Sequence, residues 1–96
     1  MHAVVRSYSG QSASELFDQL EQRNDEVKDL IGGVPGFVSY TAVRSGEGGI
    51  TVTVCQDKTG TDESSRRAAE WVKENISVTA DPPVITEGGT VVHFTS

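Results

Sequence analysis

Residues 35–57 read PGFVSYTAVRSGEGGITVTVCQD, two runs rich in β-branched and aromatic residues on either side of a glycine-rich centre. The runs Phe37 to Arg44 and Ile50 to Gln56 predict two strands, and SGEGG between them tolerates positive φ, so the pair reads as an antiparallel hairpin. Side chains along a strand alternate between faces, which puts Ile50, Val52 and Val54 on one side and Thr51, Thr53 and Cys55 on the other. The Ile/Val set is expected to face the core and the Thr/Cys set to face away from it. In the first strand of the pair, either Val38, Tyr40 and Ala42 or Phe37, Ser39, Thr41 and Val43 share that second face, and both registers stay open.

On the N-terminal side, HAVVRSY over His2 to Tyr8 is closed by SGQS, which predicts another strand and a turn. Ser12 and Glu15 have the spacing of a capping box, so a helix is expected from about Ala13. Leu16, Leu20, Val27, Leu30 and Ile31 recur along it as one buried stripe, bordered by Phe17, until Gly32, Gly33 and Pro35 end it. On the C-terminal side Thr61 is the expected N-cap of a second helix, with Asp62 and Glu63 at the positive end of its dipole. Ala68, Val72 and Ile76 form its buried stripe. Asp81, Pro82 and Pro83 then make a stiff loop before a last strand over Val84 to Thr95, which Gly88 and Gly89 interrupt.

The order β-α-β-β-α-β predicts a ferredoxin-like α+β fold: a four-stranded antiparallel sheet with two helices on one face, forming a single domain over residues 1–96. The other face is left uncovered, and either register of the second strand makes it half apolar. Exposed apolar patches of that size mark interfaces. A second copy of the chain is therefore the expected partner, in a homodimer.

Eight Lys plus Arg against fourteen Asp plus Glu give a net charge of −6, a field that disfavours nucleic acid and anionic membrane surfaces as partners. Cys55 is the lone cysteine, which rules out an internal disulfide and any C-x-x-C site. No window approaches the roughly 18 apolar residues of a membrane span, and no signal-peptide pattern opens the sequence, so a cytoplasmic location is expected.

Taken whole, the sequence resembles the dimeric α+β barrel superfamily, the group of antibiotic biosynthesis monooxygenase-like proteins and their uncharacterised small members. The likeness is carried by the element order, by VPGFVSYTAVR after the first helix, by ITVTVCQDKTGTDESSRRAAEWVKEN and by the PPVITEGGTVVHF ending. It implies two ferredoxin-like subunits with their sheets face to face and a pocket between each sheet and its helices. In the cofactor-free monooxygenases and haem-degrading members of that group an Asn, a Trp and a His orient substrate in the pocket. This sequence has no Asn in its first strand, and its second helix carries Trp71 but no His.

Tyr40, Trp71 and His93 are the side chains expected to bind a small hydrophobic or aromatic ligand, because a phenol, an indole and an imidazole combine apolar bodies with polar tips. His93, placed in the last strand, and Tyr40 are the candidates for proton transfer. Cys55 reads as a small buried hydrophobe, and Arg66 and Arg67 as solvated. RSGEGG lacks the Lys and following helix of a phosphate loop. No metal set, paired nucleophile and base, or nucleotide loop is present, so no metal, flavin or haem is expected. The resulting expectation is a non-catalytic homodimer with a small-molecule pocket; the alternative is a cofactor-independent monooxygenase acting on an aromatic or polyketide-like substrate.

Overall fold

In the computed structural model, which describes residues 1–10, 12–76 and 81–96, the chain forms β1 (His2–Tyr8), α1 (Ala13–Gln22), α2 (Asn24–Gly32), β2 (Phe37–Ser45), β3 (Gly48–Cys55), α3 (Lys58–Asn75) and β4 (Val84–Gly89). The strands pair antiparallel in the order β2-β3-β1-β4, the ferredoxin-like arrangement. Gly46, at φ 59, lets the β2–β3 hairpin turn within two residues. Gln11, part of the expected turn after β1, lies outside the described residues.

The long first helix expected over residues 13–31 is two helices. α1 ends at Gln22, Arg23 sits outside helical geometry at φ −114 and ψ 31, and α2 begins at Asn24. The break falls in a gap of the apolar stripe, where Arg23 and Asn24 stand between Leu20 and Val27 with nothing to bury. The Arg23 amide donates to the Gln19 carbonyl at 2.9 Å and the Val27 amide to the Arg23 carbonyl at 3.0 Å, so the corner stays hydrogen-bonded. Ser12 precedes α1 without the side-chain cap bond that a capping box predicts.

α3 also starts earlier than expected. Asp57, not Thr61, is its N-cap, in extended geometry with its carboxylate accepting from the Gly60 amide at 3.2 Å. A carboxylate serves both the free amides and the helix dipole. Thr61 lies one turn inside, its hydroxyl donating to the Lys58 carbonyl at 3.1 Å. Asp57→Ala is expected to cost about 1 kcal/mol and to lower Tm by roughly 4–8 °C in calorimetry; an unchanged Tm would show that the cap contributes nothing.

The faces of the sheet are exchanged relative to the sequence expectation. Register aligns Ala42, Thr51, Arg6 and Ile85 in one row and Tyr40, Thr53, Val4 and Glu87 in another. Arg6 in these rows hydrogen-bonds to Ser64 and Ser65 of α3, so this is the side that the helices cover. Thr53 is 0% exposed. The opposite side carries the rows Thr41, Val52, Val5, Thr86 and Val43, Ile50, Ser7, Val84. Val43, Ile50 and Val84 are 47%, 37% and 70% exposed. The threonines turn inward because the buried Arg6 needs hydroxyl acceptors around it. Of the two registers weighed for β2, the second is met at Thr41 and Val43, which face outward, whereas Tyr40 and Ala42 lie on the helix side and an irregularity between Phe37 and Ser39 returns Phe37 there too.

Under the helices, Leu16, Phe17, Val27, Ile31, Trp71 and Ile76 form the core, with Phe17 edge-on to Tyr8 at 6.2 Å between ring centres. β4 stops at Gly89 rather than running to Thr95. Residues 90–96 form no strand, and Val91 and Phe94 are 94% and 86% exposed. No helix among the described residues is long and apolar enough to cross a membrane.

Candidate functional site

A cleft of about 890 Å³ opens between α2 and β2, with walls that include Leu20, Val27, Ile31, Phe37 and Tyr40. The period that buries Val27 and Ile31 on α2 aims them at β2, and the helix break at Arg23 sets that aim. Behind it a second crevice, of about 20 Å³, runs between the sheet and α3, walled by Tyr8, Leu16, Thr51, Ala68 and Trp71. That inner space holds about one water. Leu20, Val27, Ile31 and Tyr40 line both, so Tyr40 stands where the wide cleft meets the narrow one.

Of the three expected ligand residues, the structure gathers two. Tyr40 is half-buried on the boundary, and Trp71 is 6% exposed at the inner crevice, its indole N–H donating to Glu26 Oε1 at 3.1 Å. His93 lies beyond β4 and lines neither space. It is not in the last strand, as the sequence suggested, because that strand ends at the Gly88-Gly89 pair.

The residue missed by the sequence reading is Arg6. Arg6 is 2% exposed, and among the described residues its guanidinium reaches only hydroxyls: Nη1 donates to Thr51 at 3.4 Å and Thr53 at 3.2 Å, Nη2 to Ser64 at 2.7 Å and Ser65 at 3.0 Å, and Nε to Ser65 at 3.3 Å. Burial draws its pKa down, while Tyr8, Tyr40 and Cys55 draw it back up. A guanidinium stays charged regardless. The signal was available in HAVVRSY, where Arg6 shares the parity of Val4 and Tyr8 and so had to point with them.

The tyrosines here are weak acids. Burial pushes the Tyr40 phenol up to about 12, helped by Tyr8 and opposed by Arg6 and by a hydrogen bond with Thr51. Burial also raises Tyr8, against the pull of Arg6. Tyr40 is thus a proton donor in hydrogen bonds and no general base at neutral pH. Tyr8 and Tyr40 are the only tyrosines, so alkaline titration followed by tyrosinate absorbance is expected to show no step at the ordinary phenol pKa of about 10. The folded state holds the Tyr40 proton up to about 12 and the unfolded chain releases it nearer 10, so stability falls as pH rises between those values. A full tyrosinate step near pH 10 in folded protein would contradict this placement.

Cys55 is 0% exposed and its thiol is raised by burial and by Asp57, which makes it inert. His2 is tied in place, with Nδ1 2.8 Å from the Thr61 hydroxyl and Nε2 3.7 Å from Glu87. Arg66 is exposed between Glu63 and Glu70, whereas Arg67 reaches both Glu63 and the Leu30 carbonyl and so pins α3 to α2. Among the described residues no group of three His, Cys, Asp or Glu is placed to hold a metal.

No protein-family model matches the sequence, and no curated protein is similar to it. Solved structures are. A monooxygenase of Streptomyces coelicolor, ActVA-Orf6, in complex with nanaomycin D superposes with a TM-score of 0.68 at 18% identity, covering 99% of this chain and 91% of that one. The chain shares the α+β fold of that structure. The haem degrader MhuD of Mycobacterium tuberculosis, with two haems in its active site, gives a TM-score of 0.66 at 15% identity over 99% of this chain and 100% of that one. A dimeric ferredoxin-like protein from an uncultured marine organism gives 0.63 at 14% identity over 99% and 96%. Identities this low establish a shared fold, and a fold does not fix a reaction.

Proposed function

We propose that the protein is a homodimer that binds a small, largely apolar aromatic molecule in the cleft between α2 and β2, without catalysing a reaction on it. The observation that carries this reading is the cleft itself, whose apolar walls narrow onto Tyr40 and lead to Trp71. A concave apolar site with a few converging polar groups is the usual form of a ligand pocket. Structural neighbours with nanaomycin D or haem bound support a flat aromatic occupant. The dimer rests on the Val/Ile face of the sheet, opposite the helices, and on the dimeric neighbour.

Trp71 is the only tryptophan and lines the inner crevice. Titration with naphthols and naphthoquinones is expected to quench its emission in a saturable way, and sedimentation at micromolar concentration to give twice the chain mass. Unsaturable quenching would remove the pocket reading; a monomeric mass would remove the dimer.

The bound nanaomycin D in the monooxygenase neighbour favours one second reading, a cofactor-independent monooxygenase acting on an aromatic or polyketide-like substrate. Its difficulty here is the base. Tyr40 is held protonated, and His93 lies outside the cleft. Oxygen uptake with phenols and hydroquinones is expected to be the same with and without protein. Protein-dependent uptake that is lost in Tyr40→Phe or His93→Ala would replace the binding reading with the catalytic one.

A further inference from the structure

Leu20, Val27, Ile31 and Tyr40 wall both the wide cleft and the crevice behind it, and the two spaces differ greatly in size, about 890 Å³ against about 20 Å³. A ring fits the first and cannot enter the second. Protein interiors are packed so closely that a gap of even one heavy atom has a cause. The cause lies on α3, where Ala68, Trp71 and Val72 follow one another at spacings of three and four residues and so share the face that walls the crevice. Ala68 is the smallest side chain in that wall, and a longer one there would fill the gap.

The chemistry of the crevice suits an apolar atom. Leu16, Leu30, Ala68 and Val72 wall it, the indole N–H of Trp71 is spent on Glu26 Oε1 at 3.1 Å, and the Thr51 hydroxyl accepts from Arg6 Nη1 at 3.4 Å. Water gains little in a space so lined, whereas an apolar atom placed there recovers the dispersion contacts that the wall otherwise forfeits. A carbon on the inward edge of a ring held against Leu20, Val27, Ile31 and Tyr40 would be that atom.

We propose that Ala68 and Val72 select the ligand by its substituent: the flat ring in the cleft carries a single one-carbon group on the edge that faces α3, and the crevice takes that group and refuses a longer one. This rests on the reading of the cleft as a site for an apolar aromatic molecule, and adds which member of that class it prefers and which residues decide. In an open apolar cleft each further CH2 of a substituent raises affinity about fourfold. Against a closed wall the gain stops at the first carbon. The second carbon must either displace packed side chains or turn the ring so that the substituent leaves the crevice.

Naphthalene and its 2-methyl, 2-ethyl and 2-isopropyl derivatives form the test series, with binding read by calorimetry at two temperatures, since burial of apolar surface makes the heat temperature-dependent. Wild-type protein is expected to bind the methyl compound about fourfold more tightly than naphthalene, and the ethyl and isopropyl compounds no more tightly than naphthalene. Ala68→Val fills the crevice and is expected to erase the methyl preference while naphthalene binds as before. Val72→Ala enlarges it and is expected to move the preference to the ethyl compound. Thermal melting checks that both variants fold, and either one decides if the other does not. Affinity that climbs steadily from naphthalene to the isopropyl compound would show a cleft that reads no substituent; the proposal then falls while the aromatic pocket stands. A break at the methyl compound that the folded variants do not move would take the limit away from Ala68 and Val72, and the proposal falls as well. If naphthalene gives no binding heat at either temperature, the pocket reading and this inference fall together.

Discussion

Val52→Asp is expected to turn the proposed homodimer into a monomer. Val52 lies between Val5 and Thr41 on the face of the sheet opposite the helices, in the middle strand pair. A two-fold interface presents the same patch from both subunits, so one substitution introduces two carboxylates. Leaving an unpaired carboxylate in a dry interface costs several kcal/mol, and every 1.4 kcal/mol is about a tenfold loss of affinity. Sedimentation should therefore report the chain mass at concentrations where the parent is fully dimeric. Thr53→Asp is the control, because Thr53 points the other way, 3.2 Å from Arg6 Nη1, where a carboxylate meets a waiting cation. It should leave the dimer intact. Dissociation by Thr53→Asp with none by Val52→Asp would mean that the helix-covered face meets the partner, which the packing of α3 on that face forbids.

The largest effect on folding is expected from Gly60→Val. Gly60 sits in the first turn of α3, against β3 and the segment before β2, and a Cβ there would lie 2.7 Å from Cys55 Cβ and 2.8 Å from the Pro35 carbonyl oxygen. Neither neighbour is the tip of a flexible side chain. Overpacking of this kind costs about 1–3 kcal/mol, and valine adds two methyl groups beyond the Cβ. A fall in Tm of roughly 10–20 °C follows at about 4–8 °C per kcal/mol for a chain of this size. A Tm within a few degrees of the parent would show that α3 can shift outward without loss.

The sequence carried the order of elements along the chain, the hairpin and the ferredoxin-like layout, because the switch between period two and period 3.6 is set by where apolar side chains fall. It misled on the faces of the sheet. Ile50, Val52 and Val54 look like a core set in a lone chain, and only the partner of Arg6 reveals that the threonines point under the helices. Arg6 binds Ser64 and Ser65 at separations of 58 and 59 residues, a pairing that no local pattern announces. The break at Arg23 was legible as a gap in the apolar stripe, and Asp57 as a stronger cap than Thr61. Tyr40 and Trp71 were singled out for their chemistry, and the fold alone could bring them to one cleft.

The strand order has a consequence for synthesis. β1 emerges from the ribosome first, yet it is flanked by β3 and β4, which are made about half a chain and nearly a full chain later. The β2–β3 hairpin can close as soon as it is translated, since its pairing is local, whereas β1 waits with both edges unpaired. Until α3 is complete, Arg6 also lacks the serines that shelter its charge, and a solvated guanidinium resists burial. Until then the cation favours a solvated strand over premature edge-to-edge association.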